Sequence, residues 1–209
     1  MKELAAVARG YVENDLAVGS ELLVIKNRRT ILHEAFGMCD RESGVAMVPG
    51  TIFNLRSMTK MFTGAAVQML IDQGDLELDM KAADFLEGFR NQKSESITIG
   101  ELLAHRSGLP LSIVMKTGKL DAYPDLIAMA NAVGVGGPEF PPDSKFWYSD
   151  SGTDCLAAIV EIVSGKNIAQ FVSEQLFAPL GMKDTFYLSK TTPHDQSRVA
   201  SLYLGSKGA

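Results

Sequence analysis

From Met58 onward the apolar side chains fall at positions 58, 61, 62, 65, 66, 69 and 70, a helical period that stops at Gly74. This spacing predicts a long buried helix with Ser57 at its mouth, and it assigns Met58, Met61 and Met69 to core packing along that helix. A buried helix needs a core around it. With 209 residues, 46% of them hydrophobic and 22% charged, the chain has the material for one globular domain over 1–209 and does not read as disordered.

The flanking segments alternate in character. Residues 4–18 carry Leu4, Val7, Ala8, Tyr11, Val12 and Leu16 at helical spacing and end at Gly19. Two β-rich runs follow, 22–25 and 30–37, joined by the polar turn Lys26-Asn27-Arg28-Arg29, and predict a hairpin. Thr98 and Glu101 have the spacing of a reciprocal helix cap, and the short helix they open ends before Ser107-Gly108-Leu109-Pro110. A helical piece near 126–133 lies among glycines and prolines, so 75–145 reads as a loop-rich helical lobe. Ser151 and Asp154 repeat the cap spacing ahead of an apolar run to Gly165, and Asn167 opens a further helix through Leu176.

Charge and length exclude several functions. The net charge of −5 is spread along the chain, so nucleic acid is not expected as a partner. No stretch approaches the roughly 18 apolar residues of a membrane span, and the first residues lack the basic-then-apolar order of a leader, so no membrane partner and a cytoplasmic location are expected. Cys39 and Cys155 are too few for a disulfide scaffold and read as small hydrophobes. His33, His105 and His194, with two distant cysteines, give no metal spacing, so neither a metal nor a cofactor is expected. The glycines at 134–137 are not set between a strand and a helix as dinucleotide binding requires, and no Gly-x-Ser-x-Gly elbow occurs.

Chemistry is suggested at two places. Ser57-Met58-Thr59-Lys60 puts a hydroxyl and an amine three residues apart, on one helix face and at the positive end of the helix dipole. A lysine set against a mostly apolar face should lose proton affinity by desolvation, which would let a neutral amine take the serine proton. Such a pair arises roughly once by chance in a chain of this length, and a helix cap with a solvated lysine is the plainer reading. The second place, Tyr148-Ser149-Asp150, follows a proline-rich loop and precedes a capped helix. A phenol beside an amine can relay protons, and Asp150 can anchor the lysine or a substrate amide. Tyr123-Pro124-Asp125 matches the same short pattern, so the flanks carry the distinction.

With both places in view, the chain resembles the serine β-lactamase and penicillin-binding-protein superfamily, in the branch of class C β-lactamases, D-alanyl carboxypeptidases and related esterases. The resemblance covers about 4–204 and includes Leu102 to Leu109, Phe146 to Asp150, Ile159 to Gly165 and Phe177 to Thr185. It implies an α+β fold, a helical lobe with an antiparallel sheet, of which only the N-terminal hairpin is present here. It further implies Ser57 as acylated nucleophile, Lys60 as general base, Tyr148 as proton relay and Asp150 as a substrate-binding group where the family often has Asn.

The family's third motif, Lys-Thr-Gly or His-x-Gly on a later strand, has no counterpart in the expected place. Lys116-Thr117-Gly118 precedes Tyr148 in the loop-rich lobe and reads as a coincidence. In the family that strand also supplies one of two oxyanion donors, whose loss typically costs about 100- to 1000-fold in rate. The last three strands and final helix of the family's sheet would likewise be missing, so the chain is expected to be an incomplete domain with an open sheet edge that a second copy could cover. Two functions compete. One is a serine hydrolase that acts through an acyl-enzyme on a small carboxylic ester, a β-lactam or a D-alanyl peptide, with the ester preferred. The other is a catalytically incomplete module for binding or assembly. His105 is read as structural, bonded to a carbonyl near a helix end.

Overall fold

A computed structural model of the chain describes residues 1–118, 122–188 and 196–203. His194 lies outside the described residues. The chain forms two compact units, one of residues 1–56 and 187–209, the other of residues 57–186.

The first unit is built on a hairpin. Strands β1 (Gly19–Lys26) and β2 (Arg29–Asp40) pair antiparallel, and a short β3 (Val45–Ala46) adds to the far side of β2 in the order β1-β2-β3. The hairpin is longer than the two apolar runs alone indicate, because pairing continues through the polar Lys26 and Arg29 to the turn. Asn27 and Arg28 both take positive φ, 51° and 61°, which is the turn geometry that matches the twist of paired strands. Helix α1 (Lys2–Glu13) packs on β1 and β2 and stops five residues earlier than the apolar period suggests. Residues 196–203 return to this unit: Val199 bridges Ile52, and the Tyr203 hydroxyl accepts from the Arg41 amide at 2.7 Å and donates to Glu42 at 2.5 Å.

The second unit is helical. Helix α2 (Thr59–Gln73) buries Thr63, Ala66, Val67 and Leu70, a stripe at spacings of three and four, against α7 (Asp150–Ser164) and α8 (Ile168–Val172). Gly74 closes it with φ 83°, as the glycine stop predicts. Met58 and Met61 are not core residues, being 53% and 65% exposed. At 100° per residue they fall opposite the Thr63-Ala66-Val67-Leu70 stripe, a distinction that apolar character alone does not make. Between α2 and α7 the chain forms the short α3 (Ala82–Phe85), α4 (Ile99–Leu103), α5 (Ile113–Thr117) and the longer α6 (Leu126–Gly136).

Helix α7 is the hub of this unit. It packs against α2, α4, α6 and α8, and buries a continuous run from Cys155 to Val160. Full burial of side chains such as Leu70, Ile159 and Val160 stabilises the unit by about 1.5–3 kcal/mol each. Edge-on contact of Phe62 with Phe177, centroids 5.0 Å apart, adds a fixed point between α2 and the end of the unit. The expected cap of Thr98 and Glu101 on α4 is present, with both reciprocal bonds made. The one at α7 is shifted: Ser149, not Ser151, is the cap, accepting from the Gly152 amide at 2.9 Å while its hydroxyl donates to the Pro110 carbonyl at 2.7 Å. Ser151 instead accepts from the Ile113 amide at 2.9 Å. Helix α7 therefore begins at Asp150, which brings that carboxylate to its positive end.

Among the described residues both cysteines are buried and free. No single helix among them is long and apolar enough to cross a membrane.

Candidate active site

The residues singled out in sequence lie together in the second unit. Ser57 sits in a 3₁₀ turn, Arg56–Met58, immediately ahead of α2 rather than inside its first helical turn. Arg56 takes a left-handed φ of 49°, and its amide donates to the Asn54 side chain at 3.0 Å, so a tight local turn presents Ser57. The first turn of α2 has no side-chain cap, which leaves the exposed Ser57 hydroxyl available for chemistry.

Lys60 is the centre of the arrangement. Its ammonium lies 2.6 Å from Asp150 Oδ1 and 3.5 Å from Ser57 Oγ, and 4.9 Å from the centroid of the Tyr148 ring. The turn leading into α2 thus contributes the serine and α2 the lysine, and the entry to α7 contributes the tyrosine and aspartate. Asp150 Oδ1 is engaged with Lys60, so the carboxylate anchors the lysine. The Tyr148 hydroxyl is enclosed and closes no well-formed hydrogen bond among the described residues, although the neighbouring ammonium interacts with it.

The electrostatics differ from the sequence expectation at Lys60. Burial does pull its proton affinity down, but the Asp150 carboxylate and the Tyr148 hydroxyl outweigh burial, and the affinity ends above its ordinary value. The resting lysine is an ammonium that donates towards Ser57. A carboxylate four residues along α7, Asp154, was read from the sequence as part of a helix cap and not as a titrating group. Its pKa is raised to about 6 by burial first and by the Asp150 charge second, with Lys60 opposing. Its signal in the sequence is an acid placed next to Cys155-Leu156-Ala157-Ala158-Ile159, a run with no polar side chain to solvate it.

His105 also departs from expectation. Its Nδ1 accepts from the Ser149 amide at 3.3 Å, where a bond from the ring to a carbonyl was expected. The imidazole lies against the Tyr148 ring, centroids 4.7 Å apart and tilted by 36°. Burial first, and the Lys60 charge second, lower its proton affinity, with Asp150 opposing. No spacing rule links residue 105 to 149; only the fold brings them together.

Lys116-Thr117-Gly118 lies at the end of the short α5 and not on a strand, and Lys116 pairs with Glu139 at 2.7 Å. Among the described residues no group of three or more His, Cys, Asp or Glu side chains is disposed to hold a metal ion.

Comparison with known proteins follows the same lines. A family model described as Beta-lactamase matches residues 4–208. Penicillin-binding protein 4 of Amycolatopsis lactamdurans is 35% identical over 183 residues, covering 85% of this chain and 46% of the relative. Among solved structures, the octameric penicillin-binding protein homologue from Pyrococcus abyssi superposes with a TM-score of 0.81 at 26% identity, over 99% of this chain and 48% of that one. EstCE1, a hydrolase with promiscuous acyltransferase activity, gives a TM-score of 0.80 at 26% identity, over 97% of this chain and 56% of that one. The chain spans about half the length of these relatives.

Proposed function

The chain belongs to the beta-lactamase family, and from that premise we propose that it is the nucleophile-bearing part of a serine hydrolase that cleaves small carboxylic esters through an acyl-enzyme. The observation that carries this reading is the convergence of Ser57, Lys60, Tyr148 and Asp150 around one ammonium. In the proposed cycle Ser57 Oγ bonds to the ester carbonyl carbon and the bond to the alkoxy group breaks. The serine proton passes through Lys60 and Tyr148 to the departing alcohol. Water then attacks the acyl carbon, releases the carboxylic acid and returns a proton to Ser57.

Because Lys60 rests as an ammonium, the productive base is its minority neutral form. Hydrolysis should therefore rise with pH towards the alkaline range, with Asp150 holding that rise at high pH. An ester, whose cleavage transfers an acyl group, accords with the likeness to EstCE1, a hydrolase with promiscuous acyltransferase activity, and the same Ser57 chemistry extends to an amide or a β-lactam.

Hydrolysis of a short p-nitrophenyl ester by the chain and its variants tests the reading. Ser57→Ala and Lys60→Ala should each lose about 1000-fold or more, and Tyr148→Phe about 100-fold. Unchanged hydrolysis in Ser57→Ala would refute it. A second reading, a catalytically incomplete module for binding or assembly, draws on the chain's spanning about half the length of its relatives. Absence of turnover in the unmutated chain would favour that one.

A further inference from the structure

His105 grips the chain on both sides of Tyr148. It ends the α4 turn in a left-handed conformation, φ 54°, and its carbonyl accepts from the Trp147 amide at 2.7 Å. Its ring accepts from the Ser149 amide through Nδ1, and the same ring lies against the Tyr148 phenol and edge-on to Phe146, centroids 5.9 Å apart. One residue thus fixes the backbone before and after Tyr148 and also its ring.

We propose that His105 is a positioning residue for the proton relay, which as a neutral imidazole holds Tyr148 beside Lys60 and lets go of it when protonated. The bond itself dictates the tautomer: Nδ1 must offer a lone pair to the Ser149 amide, so the proton resides on Nε2. A proton added at Nδ1 would set two N–H groups against each other and place a second cation near Lys60. The charged groups around the imidazole are Lys60 from α2 and Asp150 from the start of α7, with Asp154 one turn farther on. Arg106 is engaged with Asp143, and Lys145 lies over the Phe140 and Trp147 rings. Burial and Lys60 favour the neutral imidazole, and Asp150 opposes them, so the clamp is closed at neutral pH and opens in acid.

This inference rests on the Ser57 hydrolase reading for its kinetic consequence but not for its geometry, and the test separates the two. Nitrogen-15 titration of the whole chain, without substrate, should show the Nε2–H tautomer and a His105 midpoint below 6.5, with the Ser149 amide and Tyr148 ring shifting at that midpoint. In p-nitrophenyl ester hydrolysis, kcat should fall more steeply below the same midpoint than the Lys60 slope alone gives, an additional acid limb. His105→Asn, whose Oδ1 takes the place of Nδ1 as acceptor, should keep neutral-pH activity and lose that acid limb. His105→Phe, with a ring but no acceptor, should lower kcat about ten- to hundredfold with little change in KM. An Nδ1–H tautomer, or the additional inflection at that midpoint retained in His105→Asn, would overturn the proposal. If the unmutated chain neither turns over nor acylates, the hydrolase reading fails while the titration still decides the clamp, and the titration also decides it should His105→Phe not fold.

Discussion

At the scale of single residues, the Asp150 carboxylate holds the Lys60 proton. Asp150→Asn keeps a polar group at the start of α7 but removes the charge that holds the Lys60 proton. The alkaline rise of hydrolysis should move to lower pH, and each pH unit of movement should raise the rate at pH 7 about tenfold, read from a pH profile of kcat/KM. An unmoved profile would mean that Asp150 does not control the lysine. Lys116→Ala, whose partner is Glu139, should leave hydrolysis at the unmutated rate. The four residues that meet at this ammonium were legible as two short motifs, because a serine three places before a lysine and a tyrosine ahead of a helix cap are local patterns. The protonation state was not legible. It depends on a 2.6 Å contact between residues ninety apart in sequence, and an apolar neighbourhood alone argues for the opposite sign.

At the scale of elements, α7 joins stability to the site. Asp154 on its second turn binds its proton more tightly in the folded chain, about 6 against an ordinary 3.8, so the fold loses stability as pH rises from 3.8 through about 6. Asp154→Asn removes that loss. Urea unfolding should show a gain of about 1–3 kcal/mol at pH 8 and almost none at pH 4; an equal gain at both would contradict a titrating carboxyl. Ser149→Ala deletes a buried cap and its bond to Pro110, and should cost about 2 kcal/mol by the same measurement. Most elements were readable from period and punctuation: Gly74 and Gly165 end α2 and α7 in left-handed geometry, and Thr98 caps α4. The cap of α7 was misplaced by two residues because Ser149 and Ser151 both satisfy a capping pattern. What separates them is tertiary, since Pro110 and Ile113, the latter opening α5, lie about forty residues earlier.

At the scale of the whole molecule, the first unit leaves apolar surface open. Among the described residues β1 is hydrogen-bonded on one side only, and Leu23 and Ile25 on it are 50% and 60% exposed. Leu4, Val7 and Tyr11 on α1 are exposed as well. We propose that a second copy covers this edge in the isolated chain, so sedimentation should show concentration-dependent association that Leu23→Lys weakens. A monodisperse monomer at all concentrations would contradict it. The hairpin was legible in sequence, whereas β3, two residues long, carries too little pattern to be seen.

The central claim is that Ser57 forms a covalent ester during turnover. The most direct measurement is intact-mass spectrometry of the chain mixed with a short p-nitrophenyl ester, with the modified peptide then sequenced. The account predicts one added acyl group, carried by Ser57, absent from Ser57→Ala and cleared as substrate is exhausted. An unmodified chain, or an acyl group carried stably by another residue while Ser57 stays free, would contradict it.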